Sequence, residues 1–114
     1  MNAPAEILPT HTPALFDAAV TRAAALLRAG QVVALPTETV YGLAANAFDP
    51  DAVGRLFAIK DRPAHNPIIV HVASLELAQT CVCHWPAVAA RLAATAGQNR
   101  SRWFCLAPPA FPMW

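Results

Sequence analysis

Gly30-Gln-Val-Val-Ala-Leu-Pro-Thr-Glu-Thr-Val-Tyr-Gly-Leu43 is the stretch that decides how the chain is read. Within it, Gln31 to Leu35 is a short apolar run rich in valine and bounded by Gly30 and Pro36, which predicts a buried strand. The segment from Pro36 to Leu43 is rich in turn formers. Thr37, Thr39 and Tyr41 stand two residues apart. If the backbone leaves the strand extended, their hydroxyls share one side and form a polar row at the strand's carboxyl end. Open α/β sheets bind ligands at that edge, and Gly42 would let the backbone approach one closely. A capped turn, in which the threonine side chains bond their own backbone, fits the same residues. The sequence leaves both readings open.

Working outward, Thr12-Pro13 suits an N-cap and first helical position. Leu15, Ala19, Ala23, Leu26 and Leu27 then recur at helical spacing until Gly30. On the other side, Asp49-Pro50 opens a second helix with an apolar face of Val53, Leu56 and Phe57, extended by the stem of Lys60, and ending by Asp61. Ile68 to Val72 predicts another buried strand, and Ser74 caps a third helix through about Thr80. A fourth, alanine-rich helix starts at Trp85-Pro86. This order predicts α/β packing, with crossover helices covering a sheet face. Residues 1–12 carry prolines and no apolar period, as a flexible leader would.

A chain of 114 residues is expected to form one core. Its hydrophobic residues make up 56% and its charged ones 13%, more apolar than a soluble surface requires, so some core face is expected to lack its partner. No window reaches the ~18 apolar residues of a membrane span, and the N-terminus lacks the order of a signal peptide. The chain is therefore read as cytoplasmic with no membrane partner. A net charge of +1 gives no global electrostatic case for nucleic acid. Cys81, Cys83 and Cys105 form no CxxC pair and leave an odd thiol, which argues against a disulfide framework and against zinc.

A second polar segment, Lys60-Asp-Arg-Pro63, leaves a helix for a loop, and Asn66-Pro67 precedes the predicted strand bearing His71. Lys60 supplies a compact charge and Arg62 a planar fork, a pair suited to phosphates. Cations meeting a helix C-terminal dipole are the equally available structural reading. Neither GxxxxGK[ST] nor GxGxxG occurs, which excludes a Walker A loop and a Rossmann fingerprint. His71, between apolar neighbours, fits a core histidine as well as a ligand, and His11, His65 and His84 have no spacing that suggests metal or a nucleophile dyad.

Taken together, the Gly30 to Leu43 stretch, Lys60-Asp-Arg-Pro63 and Asn66-Pro-Ile-Ile-Val-His71 resemble the signature of the YrdC-like family in order and spacing, over roughly residues 13 to 92. The resemblance implies a twisted open sheet with helices packed on it, here about half of the family domain, spanning residues 13–95. It implies formation of L-threonylcarbamoyladenylate and pyrophosphate from L-threonine, bicarbonate and ATP, for the t6A base of tRNA, with tRNA and the pathway's proteins as partners. Carried over, it places Thr39 and His71 on the threonine, with Thr37 and Tyr41 as wall residues. Arg62 and Asn66 then contact ATP, and Lys60 belongs to the same motif. Lys60 and Arg62 are the catalytic candidates, because a carbamate attacking an α-phosphate brings two anions together. Magnesium would ride on the phosphates, as no carboxylate cluster is at hand to hold it and no metal-ligating set is assigned.

After Ala90-Arg-Leu-Ala-Ala94 the family pattern stops, and residues 96–114 have neither a helical nor a strand period. Permitted codons for this tail, taken one frame over, spell Trp-Pro-Lys-Pro-Leu-Thr-Leu-Val-Leu-Pro-Arg-Ala-Ala-Gly-Ile-Pro-Asp-Val, which resembles the missing family text. The expectation is a frame shift near Ala96 and a truncated, inactive chain. Two other functions fit the fold: a carbamoyl-transfer domain like that of hydrogenase maturation, and a non-catalytic double-stranded RNA or tRNA-binding module. The first usually sits in longer multidomain chains, and the second gains nothing from a charge of +1.

Overall fold

A computed structural model describes residues 4–37, 39–63, 66 and 68–96. The chain divides into two compact units, Met1–Lys60 and Asp61–Trp114, a boundary that falls inside the segment expected to hold one core. The frame-shifted tail expected over residues 96–114 lies outside the described residues, apart from Ala96 at the end of the last helix.

The first unit opens with α1, Pro13–Arg28, capped as its sequence predicts: Thr12 Oγ1 accepts from the Leu15 N–H at 3.3 Å, with Pro13 in the first turn. Its end is a glycine-dependent stop. Gly30 takes φ 74, its N–H bonds the Leu27 carbonyl at 3.0 Å, and the Gln31 N–H bonds the Leu26 carbonyl at 2.9 Å, the paired closure of a Schellman motif. Ala19 is buried on this helix, and Leu15, Ala23, Leu26 and Leu27 are half-buried. In the leader segment, Glu6 meets Arg22 of α1 at 2.9 Å, a contact between two exposed side chains that composition does not reveal.

Strand β1 spans Val33–Pro36 and β2 spans Tyr41–Ala44. They pair antiparallel in the register Val33↔Ala44, Ala34↔Leu43, Leu35↔Gly42 and Pro36↔Tyr41. Pro36, which has no N–H to give a ladder, sits at the strand's last position. This corrects two expectations. Tyr41 to Leu43 were read as turn and are strand, because a loop of four residues lets the chain fold straight back on itself. The sheet seen among the described residues is thus a two-stranded hairpin rather than strands joined by crossover helices. The class remains α/β.

Helix α2 spans Pro50–Lys60. Asp49 caps it, its Oδ1 accepting from the N–H groups of Asp51 at 3.0 Å and Ala52 at 3.2 Å. Ala52, Val53, Leu56 and Phe57 are buried along one face and form the main apolar core of this unit. Lys60 closes the helix and is exposed.

In the second unit, α3 covers Leu75–Thr80, with Ser74 Oγ accepting from the Leu77 N–H at 3.1 Å. Helix α4 covers Ala87–Ala96, and the Ala90 N–H reaches back to the Pro86 carbonyl at 3.1 Å. Among the described residues of this unit, Ala78 of α3 and Ala89 of α4 are buried. Ile68 to Val72 does not form the predicted strand. Ile68, Val70 and Val72 are half-buried while Ile69 and His71 are exposed, so the alternation of a strand is present. What is missing among the described residues is a second strand to complete a ladder. No helix among the described residues is long and apolar enough to cross a membrane.

Candidate functional site

The turn between β1 and β2 is built on one side chain. Thr37 Oγ1 accepts from the N–H groups of Thr39 at 3.3 Å and Val40 at 3.2 Å, and it donates to the Val40 carbonyl. The Thr37 N–H adds a bond to the same carbonyl at 3.2 Å. Of the two readings open in the sequence, the capped turn is the one seen, and the extended row of three hydroxyls is not. Thr37 and Thr39 still share a side, their hydroxyl oxygens 3.4 Å apart, because the turn folds them together. Tyr41 stands apart from them, opposite Pro36 at the start of β2 and 75% exposed. The carbonyl of Val40 has a central part that sequence reasoning overlooked. The signal was available, since a threonine hydroxyl commonly reaches the backbone two and three residues on.

The placement of this turn follows from the segments on either side. Gly30 ends α1, so β1 starts from a fixed point, and Arg55 of α2 holds that point by donating from Nε at 3.2 Å and Nη2 at 2.9 Å to the Gly30 carbonyl. Asp49 caps α2, and the Asp49 N–H bonds the Asn46 carbonyl at 3.1 Å just after β2. Hairpin and helix are therefore tied at both ends.

Lys60 closes α2, where a cation meets the negative end of the helix dipole, and its side chain is exposed. Asp61 takes φ 49, a left-handed conformation that aspartate tolerates better than most residues, and this ends the helix.

The second unit carries the remaining candidates. Arg62 is exposed, and Asn66 is half-buried with its backbone N–H on the Pro63 carbonyl at 3.0 Å. His71 is exposed, which sets aside the core-histidine reading, because the alternation along 68–72 turns it outward. Among the described residues, the side chains of Lys60, Arg62, Asn66 and His71 have no hydrogen-bond or ion-pair partner. Toward the described residues each therefore keeps its hydrogen-bonding groups available for a ligand. Also among the described residues, no group of three His, Cys, Asp or Glu is placed to hold a metal ion. Cys81 is half-buried and Cys83 exposed.

Comparison with known proteins gives these features a context. A family model covering the Sua5, YciO and YrdC proteins, described as telomere recombination, matches residues 25–98. The chain is 52% identical over 71 residues to a threonylcarbamoyl-AMP synthase of Pyrococcus abyssi, covering 62% of this chain and 21% of that protein. It is 36% identical over 107 residues to a threonylcarbamoyl-AMP synthase of Alkalilimnicola ehrlichii, covering 94% of this chain and 54% of that one. The solved structure of P. abyssi Sua5 complexed with L-threonine superposes with a TM-score of 0.63 at 49% identity, over 66% of this chain and 22% of that one. The chain spans between about a fifth and about half of these relatives' lengths. More than half of its residues fall within the family model, and the chain belongs to the Sua5/YciO/YrdC family.

Proposed function

We propose that the chain carries threonine-binding and nucleotide-binding residues of a threonylcarbamoyl-AMP synthase. The reaction condenses the amine of L-threonine with bicarbonate, releasing water, to give a carbamate whose oxygen attacks the α-phosphorus of ATP. Pyrophosphate leaves and L-threonylcarbamoyladenylate remains, a nucleotidyl transfer that feeds the t6A base of tRNA. The observation that carries this reading is the 49% identity to a structure solved with L-threonine, over a region that includes most of this chain. In this assignment Thr39 and His71 contact the threonine, flanked by Thr37 and Tyr41. Lys60, Arg62 and Asn66 contact ATP.

The chemistry accounts for the residue types. A carbamate and a triphosphate are both anions, and the exposed Lys60 and Arg62, two residues apart in the sequence, supply positive charge. The guanidinium fork suits two phosphate oxygens at once. Asn66 adds both donor and acceptor capacity for a base or ribose. Magnesium, carried on the phosphates, would lower the charge of the leaving pyrophosphate. The tRNA and its modification proteins are the downstream partners in this reading, and the cytoplasm is the compartment.

The test is pyrophosphate release by the purified chain with ATP, magnesium, bicarbonate and L-threonine, run beside calorimetric titration of each substrate. Threonine-dependent release supports the full reading. Saturable binding of threonine and ATP without release supports the binding assignment and removes the catalytic one. Absence of saturable binding of either substrate would overturn both.

A further inference from the structure

We infer that Thr37 does not contact substrate but is a positioning residue, whose hydroxyl shapes the β1–β2 turn so that the Thr39 hydroxyl is left free for a ligand. For the identity of that ligand, the inference rests on the proposed threonine site.

A threonine hydroxyl has one proton to donate and two lone pairs to accept with. At Thr37 all three are taken up inside the turn. Its proton goes to the Val40 carbonyl, and its lone pairs receive the N–H groups of Thr39 at 3.3 Å and Val40 at 3.2 Å. A substrate atom would have to displace one of these bonds and open the turn to reach it. Thr39 is in the opposite condition. Its backbone N–H is held by Thr37, while its hydroxyl has among the described residues a single polar neighbour, Thr37 Oγ1 at 3.4 Å, already saturated. Toward the described residues the Thr39 hydroxyl is thus free both to donate and to accept, which suits an amino acid that presents ammonium, carboxylate and hydroxyl together. Two threonines that look equivalent in the sequence therefore divide the work. One fixes the backbone, and the other meets the ligand.

The test uses the full chain, nitrogen-15 labelled, as wild type and as T37S, T37V and T39V. The readouts are the Thr39 and Val40 amide signals, their hydrogen exchange, and the dissociation constant for L-threonine. T37S keeps the hydroxyl and is expected to keep both amides and a threonine affinity within about twofold of wild type. T37V is expected to shift and deprotect both amides and to weaken threonine binding about tenfold, the equivalent of one net hydrogen bond. T39V is expected to weaken binding similarly while leaving the Val40 amide in place. The proposal is overturned if T37V retains wild-type affinity, or if it loses affinity with both amides unmoved, since that pattern belongs to a direct contact.

Should T37V lose the signal dispersion of Leu56 and Phe57 and so be unfolded, T37S decides. Retained amides and affinity uphold the role, and their loss refutes it. If wild type shows no saturable threonine binding, the threonine site fails. The positioning role is then judged on the amides alone, upheld if T37V moves both and refuted if it moves neither.

Discussion

Arg55 donates two hydrogen bonds, from Nε at 3.2 Å and Nη2 at 2.9 Å, to the carbonyl of Gly30, the residue that turns the chain from α1 into β1. Gly30 holds φ 74, and a Cβ built there would lie 2.8 Å from Asp49 Oδ2 and 2.9 Å from Arg55 Nη2. Both obstacles are ends of side chains and can move aside. The left-handed backbone cannot be relieved in the same way, and it costs a non-glycine residue about 1–2 kcal/mol. Moving Arg55 also weakens its paired bonds, worth roughly 0.5–1.5 kcal/mol each at a net value. G30A is accordingly expected to destabilise the chain by about 2–3 kcal/mol in urea unfolding. R55A is expected to cost less, and the double variant less than the sum, because both changes damage one contact. Strict additivity would show that Arg55 and Gly30 do not act together.

The apolar face of α2 gives a sharper contrast within one helix. Leu56 is 6% exposed and Ile59, three residues on, is 62% exposed. L56A removes buried methyl groups and leaves a cavity, at an expected cost of about 2–5 kcal/mol. I59A should stay within about 0.5 kcal/mol of wild type. Equal losses would mean that Ile59 is covered in solution, for instance by association through the exposed apolar surface.

How much of this was legible from the sequence depends on whether the signal was local. Thr12-Pro13, Asp49-Pro50 and Ser74 announce their helices through side chains that bond the next turn, so the information lies within four residues, and all three caps form as read. Gly30 marks its stop for the same reason. Strands are different, because a strand needs a partner. Val33–Pro36 finds Tyr41–Ala44, whereas Ile68 to Val72, with the more strand-like composition, has no ladder among the described residues. For the candidate site, residue types at Thr37, Thr39, Lys60, Arg62, Asn66 and His71 were legible, and the exposure of His71 was not, since its neighbours on both sides are apolar. The division of roles between Thr37 and Thr39 was equally hidden, because spacing alone cannot say whether the backbone is extended or turned.

Two exposed carboxylates should titrate below the usual range for different reasons. Arg22 lowers Glu6, chiefly by hydrogen bonding its carboxylate and also by its charge. Glu76 is lowered by its own backbone N–H and then by the Ser74 hydroxyl at the start of α3. In both cases the folded value lies below the unfolded one. Each group's contribution is therefore present above the unfolded value and is lost as pH falls through the folded one. Carboxyl-carbon NMR titration is expected to give low midpoints for both. R22Q should raise only the Glu6 midpoint and S74A only that of Glu76. Salt at 1 M should move Glu6 towards the ordinary value more than Glu76, because only Glu6 faces a full opposite charge. A Glu6 midpoint that is normal at low salt would mean the leader segment is not held on α1 in solution.

Arg62 offers the most direct test of nucleotide binding. Its guanidinium is exposed and, among the described residues, without an internal partner, so substituting it should not disturb the fold. If it grips two phosphate oxygens with its fork, lysine keeps the charge but loses one directed bond. The loss corresponds to about tenfold in affinity for one charge-assisted hydrogen bond. R62K is therefore expected to weaken ATP binding about tenfold in calorimetric titration, and R62A more, with urea unfolding unchanged in both. Threonine affinity measured without ATP should stay at the wild-type value for both variants, since this reading gives Arg62 no contact with the amino acid. If R62K binds ATP as wild type does, Arg62 acts only as a diffuse charge at the end of α2, and phosphate recognition has to be sought at Lys60.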